Sequence, residues 1–287
     1  MHFDAHHLDA RDIERRRDRA ATSFDSADFL HQRAHEGLSE RLEPMVMTPS
    51  LIVDLGAGTG AMSRRLAKQY RKARVLSVDP SRAMLDVARR ARPFLSRTRE
   101  VRAETDRLPL PDGSVDLVYS NLWLAWVDDL AGCFNEIARV LKKGGVFAFA
   151  TLGPDTLSTL RDARFGDIAV RQFVDMHDVG DLLVRAGLAE PVLDVDKVTV
   201  TYRRANDLFR DLTAVGARNL LRGRQRGLMG KTRFAWLTDA LTADDGLAIE
   251  LELVFGHAWG TGPRAARGEV RIDPAAIGRL RPGDRGS

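Results

Sequence analysis

The chain has 287 residues, 44% of them hydrophobic, and it carries a formal net charge of +4 with a pI near 9.5. This length fits one large domain or a domain with an insertion, and the apolar content suffices for a sizeable core. With no run of roughly 18 apolar residues and a polar start, the sequence predicts neither a membrane span nor a secretory signal. The single cysteine, Cys133, excludes an internal disulfide and a multi-cysteine metal site. We therefore expect a cytoplasmic protein, and its basic charge favours an acidic partner.

Residues 1–45 are expected to form an N-terminal helical cover. Arginines crowd residues 14–19, and apolar residues then recur at roughly helical spacing up to Leu42. This pattern leaves two interpretations open, a helix packed on a sheet and a cover over a bound ligand, and both can hold together.

The most informative stretch is residues 51–60, where a short apolar run precedes three glycines in alternate positions. A strand, a glycine-rich turn and a helix form the first crossover of a doubly wound sheet, whose ligands bind beyond the carboxyl ends of the strands. Glycines there permit positive φ and a close approach of ligand to backbone. The spacing differs from the G-x-G-x-x-G dinucleotide fingerprint, because Asp54 starts an Asp-x-Gly-x-Gly-x-Gly pattern.

This pattern resembles motif I of the class I S-adenosylmethionine-dependent methyltransferases, whose loop wraps the methionine half of the cofactor. The alternative is an ordinary glycine-rich turn in another α/β protein. The resemblance implies that the cofactor is bound by Asp54, Gly56, Ala57, Gly58 and Gly60.

A second predicted strand, residues 74–79, ends in Asp79. A carboxylate at the tip of the neighbouring strand can accept both hydroxyls of a cofactor ribose. The alternative role for Asp79, a helix N-cap, suits Ser81 better, because Ser81 opens the next helix. Met84 lies in the first turn of that helix and is expected to pack on the adenine or to belong to the core.

An acid, a Leu-Pro pair and a Val-Asp-Leu strand follow in the order seen in these methyltransferases. The resemblance assigns Glu104, after a third strand at 98–103, to the adenine amino group and adds Thr105 to the cofactor residues. The fourth strand, 114–121, brings Ser120 and Asn121 to the same edge, and both are expected to contact the cofactor.

Residues 120–126 leave the fourth strand where the methyl group should be presented. Asn121 and Trp126 are therefore candidate catalytic residues. Trp123 and Trp126 could exclude water and flank a sulfonium, although a core position is an equal alternative for Trp123. The absence of an Asn-Pro-Pro-Tyr motif and of a cysteine pair favours an oxygen or carbon acceptor that is not a nucleic acid.

The remaining pattern predicts helices at 129–141, 155–164 and 178–186, and strands at 146–151, 192–202 and 248–259. Together the elements predict an α/β, Rossmann-like sheet of seven strands, mostly parallel. We expect a core at 46–204 with its last strand at 246–260, a helical basic insertion at 205–245 that serves as an acceptor lid, and a poorly ordered tail at 261–287.

The insertion carries cations without an acid from residue 218 to residue 233, namely Arg218, Arg222, Arg224, Arg226, Lys231 and Arg233. Such a run is commonly a solvated face, but here it is expected to hang over the acceptor side of the cleft. With only Phe234 and Trp236 nearby, stacking of nucleic-acid bases is disfavoured, and an acidic protein partner is favoured.

Five stretches (19–27, 120–126, 149–157, 173–178 and 211–219) resemble the malonyl-acyl-carrier-protein O-methyltransferases of biotin synthesis. Phe24 stands where that family often has Tyr. The resemblance implies methylation of the free carboxylate of a malonyl thioester, with S-adenosyl-L-methionine as donor and S-adenosyl-L-homocysteine as product. Its partner would be an acidic acyl carrier protein docking near Arg218, Arg222, Arg224 and Arg226. Arg161, a third catalytic candidate, and Arg218 are candidate cations for the malonyl carboxylate.

Two alternatives remain at this stage. One is a methyltransferase for another acceptor, such as a quinone precursor or RNA. The other is a relative of an assembly factor of a respiratory complex, whose Trp-Val-Asn/Asp-Asp-Leu pattern is matched by residues 126–130. That homologue is linked to arginine hydroxylation, so a cofactor loop alone does not prove methyl transfer.

Overall fold

The computed structural model describes residue 8 and residues 10–162, 171–217, 230–242 and 246–262. In these ranges seven strands form one sheet in the order β3-β2-β1-β4-β5-β7-β6. The strands are β1 (Leu51–Leu55), β2 (Arg74–Asp79), β3 (Thr98–Arg102), β4 (Val115–Asn121), β5 (Leu141–Leu152), β6 (Ala189–Tyr202) and β7 (Leu247–Trp259).

Strands β1 to β5 run parallel to one another, and β7 runs antiparallel to both β5 and β6. The strand order reverses between β1 and β4, because β1 pairs with β2 on one side and with β4 on the other. This topological switch point is where an open α/β sheet binds its ligand. The predicted Rossmann-like, mostly parallel sheet of seven strands is confirmed.

Helices cover both faces of the sheet. They are α1 (Ala10–Ala20), α2 (Phe29–Leu42), α3 (Ala61–Gln69), α4 (Arg82–Arg90), α5 (Leu130–Val140), α6 (Ser158–Asp162), α7 (Met176–Arg185), α8 (Ala205–Ala214) and α9 (Lys231–Leu241). One core cluster joins α2 and α3 to one face, and a second joins α5 and α7 to the other. None of the described helices is long and apolar enough to cross a membrane.

The helical insertion lies between β6 and β7, as predicted. Its helices α8 and α9 bury Leu208, Phe209 and Leu237 against the first half of β7 in a separate small core. Residues 218–229, which hold Arg218, Arg222, Arg224 and Arg226, lie outside the described residues, as does the tail beyond residue 262. The domain boundaries stay a prediction.

Helix α2 is fixed on the sheet by an arginine and a glycine. The Arg41 guanidinium lies 3.9 Å from the Phe255 ring centroid and donates to Asp194 at 2.9 Å and to Asp196 at 3.1 Å. A Cβ on Gly37 would lie 2.7 Å from Cζ of Phe255, so only glycine lets the helix come this close. These contacts hold the second half of α2 on β6 and β7.

Two elements differ from their sequence predictions. Residues 142–145, which lie between the predicted helix at 129–141 and the predicted strand at 146–151, belong to β5, because Leu141 already pairs with Val115 and the register shifts before Val146 pairs with Leu117. Cations and glycines are typical of helix ends, so the local pattern misled here. The helix predicted over 155–164 is described only as α6, and residues 163–164 lie outside the described ranges.

A pair of helical glycines tests the packing of α2. We expect Gly37→Ala to lower the free energy of unfolding by about 1–3 kcal/mol through overpacking against Phe255. Gly180→Ala in α7 meets only Leu193 Cδ1 at 3.4 Å and should raise it by up to about 1 kcal/mol through helix propensity. Urea denaturation of both variants measures this, and equal shifts of the same sign would contradict the close approach of α2.

Candidate active site

A pocket of about 450 Å³, including its open mouth, lies beyond the carboxyl ends of β1 and β4. Three segments line it: the N-terminal cover, the glycine-rich loop after β1 and the residues after β4. Of the sequence-predicted residues, the lining includes Asp54, Gly56, Ala57, Gly58, Asn121 and Trp126. The pocket therefore sits at the switch point, where the sequence placed it.

The glycine-rich loop keeps its backbone open to a ligand. Gly56 and Gly58 have φ of +77° and +54°, in the left-handed region that favours glycine. A Cβ on Gly56 would overlap the Trp123 indole, and one on Gly58 would come within 3.6 Å of Arg17 Nη2. Gly60 does not line the pocket; a Cβ there would lie 2.8 Å from Cβ of Ala88, so Gly60 lets α3 pack closely on α4.

Asp79 is fully buried at the end of β2 and bonds to three segments. Its Oδ2 accepts from Gly58 N at 2.9 Å and from Arg17 Nη2 at 2.6 Å, and its Oδ1 accepts from Ser81 N at 2.9 Å. Ser81 caps α4 by accepting from Met84 N, as expected. The sequence missed Arg17, because an arginine in a basic helix usually faces solvent.

Asp54 is buried beneath the same loop. Its Oδ2 accepts from Ser63 Oγ at 2.5 Å, and Ser63 in turn accepts from Ser77 Oγ at 2.7 Å. Burial raises the pKa of Asp54 to about 7; the Ser63 hydrogen bond opposes this rise and the charge of Asp79 adds to it. The Asp54 carboxyl therefore changes its protonation near neutral pH.

Buried polar atoms gather around the pocket without a hydrogen-bond partner among the described residues. They are Arg17 Nε, His31 Nδ1, Asn121 Oδ1 and Trp123 Nε1 of lining residues, and Ser120 Oγ, whose residue precedes Asn121 and lies off the lining. Unpaired buried polar groups are costly, so this ring fits a polar ligand with several hydrogen-bonding groups. The residues present thus suit the amino acid and nucleoside ends of S-adenosylmethionine.

The residues after β4 are held from two sides. Asn121 Nδ2 donates to the His31 carbonyl at 2.8 Å, which ties β4 to the cover. Arg171 donates to the carbonyls of Ala125 and Val127 and so braces the turn that carries Trp126. Arg171 was also missed, since nothing local marks a cation that binds backbone carbonyls. Burial and the charge of Arg17 lower the pKa of His31 to about 3, so His31 is neutral at pH 7.

Asp79 and the other predicted site residues lie off the pocket lining. Met84 is fully buried with Ala20, Ala21 and Phe24 under the cover. Glu104 is exposed, and burial of part of the group together with nearby acids raises its pKa. Thr105 is buried near the thiol of Cys133, whose pKa burial raises to about 12. Arg161 donates to the Pro154 carbonyl at 2.7 Å. Their assigned roles stay predictions.

Comparison with known proteins identifies the class. A family model described as a methyltransferase domain matches residues 53–149. The fold is similar to that of YcgJ from Bacillus subtilis, with TM-score 0.54, 16% identity, and 81% of this chain and 100% of that chain covered. It is also similar to phosphoethanolamine N-methyltransferase 2 of Haemonchus contortus, solved with S-adenosyl-L-methionine, with TM-score 0.53, 18% identity, and 86% and 57% covered. The fold and the site define a class I methyltransferase.

Curated relatives narrow the class to a family. A malonyl-acyl-carrier-protein O-methyltransferase of Halorhodospira halophila is 43% identical, with 97% of this chain and 98% of the relative covered. One from Methylovorus sp. is 40% identical, with 93% and 94% covered. The chain belongs to the malonyl-acyl-carrier-protein O-methyltransferase family, as its motifs predicted. Its cofactor is S-adenosylmethionine.

The raised pKa of Asp54 predicts a pH dependence of stability. The folded state holds the Asp54 proton up to about pH 7, whereas an unfolded aspartate loses it near pH 4. Stability therefore falls as pH rises between these values. Relative to Asp54→Asn, the free energy of unfolding of the wild type should fall by roughly 2–3 kcal/mol from pH 5 to pH 7 and then level off. Denaturant titrations measure it; parallel profiles would mean that Asp54 stays ionised when folded.

Proposed function

We propose that this protein transfers a methyl group to the free carboxylate of a malonyl thioester on an acyl carrier protein. The observation that carries the proposal is full-length similarity to relatives of that name, 43% identical over 97% of this chain. The pocket at the switch point, with its ring of unpaired polar atoms, supports it. The comparisons favour neither the assembly-factor relative nor a methyltransferase for another acceptor.

The reaction asks little acid–base chemistry of the protein. A carboxylic acid with an ordinary pKa of about 4 is already an anionic nucleophile at neutral pH, so no general base is needed. S-adenosylmethionine, when bound, supplies the electrophilic methyl group and leaves as S-adenosylhomocysteine. Asn121, tied to His31, fixes the edge of the pocket, and the two tryptophans wall it from water. The main contributions of the chain are alignment and exclusion of water.

The cofactor residues keep their predicted roles as proposals. The loop of Gly56, Ala57 and Gly58 would hold the methionine half, where its open backbone and Asp54 line the pocket. Asp79 would hold the ribose hydroxyls from the end of β2. Gly60, Met84, Glu104, Thr105 and Ser120 complete the proposed set, with Glu104 proposed for the adenine amino group.

The acidic carrier is proposed to dock on a basic surface that includes the exposed Arg11 and Arg19 of α1. Arg218, Arg222, Arg224 and Arg226 remain the predicted contacts. The described residues before that segment lie close to α1, because a Cβ built on Gly216 would be 3.2 Å from the Arg16 carbonyl oxygen. Burial and the nearby charges of Arg19 and Arg15 lower the pKa of Arg16, as expected of crowded cations.

We also propose a cytoplasmic location.

Methyl transfer itself is the first test. We expect label from S-adenosylmethionine to enter malonyl-acyl carrier protein in a form that base hydrolysis releases as methanol. The unacylated holo-carrier should take up none, and malonyl-coenzyme A serves as a comparison of acceptors. Cofactor binding without transfer to the malonyl carrier would overturn the proposed reaction.

Charge reversal on α1 tests the docking surface. Arg11→Glu with Arg19→Glu should raise KM for the malonyl carrier by about tenfold or more, with little change in kcat, because these cations attract the partner without contacting the reacting atoms. The matched control reverses Arg71 and Lys72, which are exposed at the opposite end of the sheet. The effect should shrink at high salt; equal effects in both variants would move the docking surface elsewhere.

A further inference from the structure

Arg17 is the one cation among the described residues that line the pocket. Its side chain is only 2% exposed, and its Nη2 donates to Asp79 Oδ2 at 2.6 Å. The guanidinium carbon lies 4.7 Å from the Trp123 ring centroid and 5.6 Å from that of Trp126. A buried cation is tolerated only with a partner, and Asp79 provides the charge.

This ion pair conflicts with the role proposed for Asp79. The Asp79 carboxylate accepts hydrogen bonds from Gly58 N on Oδ2 and from Ser81 N on Oδ1. The hydrogen bond from Arg17 fills the second acceptor position of Oδ2. A Cβ built on Gly58 would lie 3.6 Å from Arg17 Nη2, so Arg17 occupies the space that the glycine leaves for a ligand. A carboxylate has about four acceptor positions and three are taken, so Asp79 can bind both ribose hydroxyls only by exchanging Arg17 for one of them.

After this exchange the guanidinium is held between aromatic rings without an anion of its own. The two acids that line the pocket already accept hydrogen bonds: Asp54 accepts from Ser63, and Asp28 accepts from Gln32 Nε2 at 2.8 Å. The reaction proposed above brings two anions to this place, the methionine carboxylate of the cofactor and the acceptor carboxylate. The cofactor carboxylate arrives with its own ammonium group, whereas the acceptor carboxylate has no cation of its own. A guanidinium binds a carboxylate through two parallel hydrogen bonds, and the tryptophan faces keep its plane fixed.

We propose that Arg17 binds the acceptor carboxylate and is released for it when Asp79 takes the cofactor ribose. This inference rests on the proposed carboxyl methylation. It makes binding ordered, because the cation for the acceptor becomes free only once the cofactor is in place. It also gives selectivity: a thioester lacking a free carboxylate offers Arg17 no anion, and the methylated product loses its charge and with it this contact.

The two halves of the proposal predict opposite effects of Arg17→Met. The variant should bind S-adenosylhomocysteine about three- to tenfold more tightly in calorimetry, because no ion pair has to be broken. Its KM for the malonyl carrier should rise roughly 100-fold, because a buried charge contact is lost. Arg17→Lys keeps the positive charge but cannot form two parallel hydrogen bonds, so its KM should lie between those of the wild type and Arg17→Met. If Arg17 only stabilised the fold, Arg17→Met would weaken the binding of S-adenosylhomocysteine and of the malonyl carrier together.

The order of binding is tested on the wild type. The malonyl carrier should bind measurably in the presence of S-adenosylhomocysteine and at least about tenfold more weakly without it. Arg90→Met, an exposed arginine of α4, is the matched control and should change neither ligand. Melting temperatures of all variants establish that they are folded.

Each outcome decides one claim. Weaker S-adenosylhomocysteine binding by folded Arg17→Met would overturn the exchange at Asp79. An unchanged KM would overturn Arg17 as the carboxylate site. If the wild type transfers no methyl group to the malonyl carrier, the proposed function fails, whereas the calorimetry on S-adenosylhomocysteine still tests the exchange by itself.

Discussion

The buried carboxylate of Asp79 joins the parts of the molecule that make the site. Its two oxygens bind the loop after β1 through Gly58, the start of α4 through Ser81 and the cover through Arg17. A buried carboxylate must be satisfied on all sides, so these contacts are mutually dependent. It stands at the end of β2 because parallel strands deliver their carboxyl ends to a common edge, and there it fixes the position of the loop that faces the ligand.

The cover is attached to this centre by further bonds of the same kind. Ser81 Oγ donates to Asp18 of α1 at 2.6 Å, and Thr59 Oγ1 of the loop donates to Asp25 at 2.6 Å. Ser23 Oγ donates to the Ala214 carbonyl at 3.0 Å, which links the cover to the end of α8. Of the two interpretations that the sequence left open, α2 packs on the sheet, and the cover also contributes residues to the pocket lining. Its role over a bound cofactor stays a proposal.

Charge in the pocket suits a cationic methyl donor. Asp54 and Asp79 lie buried on one side; burial raises the pKa of Asp54 to about 7, and the charge of Asp79 adds to this rise. Arg17 balances Asp79, and a neutral His31 adds no positive charge. Once Arg17 turns away from Asp79, the loop side becomes more negative, which favours an ammonium and a sulfonium there, while the cation faces the tryptophans and an anionic acceptor. The position of the Arg17 side chain thus places the cationic donor on the loop side and the anionic acceptor on the tryptophan side.

What the sequence could predict follows from how local each feature is. The sheet, the glycine loop, Asp79 at a strand end and the Ser81 cap depend on short spacings, and these lie where expected. Arg17 and Arg171 could not be found this way, because each is defined by partners far along the chain, Asp79 and the turn at 125–127. In α1, Arg17 points inward while Arg11 and Arg19 are exposed, so composition alone cannot separate a buried arginine from its solvated neighbours. The inward arginine is the informative one, since burying a cation is worthwhile only where an anion meets it. The helix that presents cations to a carrier protein outside would then also hold the cation for the carrier's carboxylate inside.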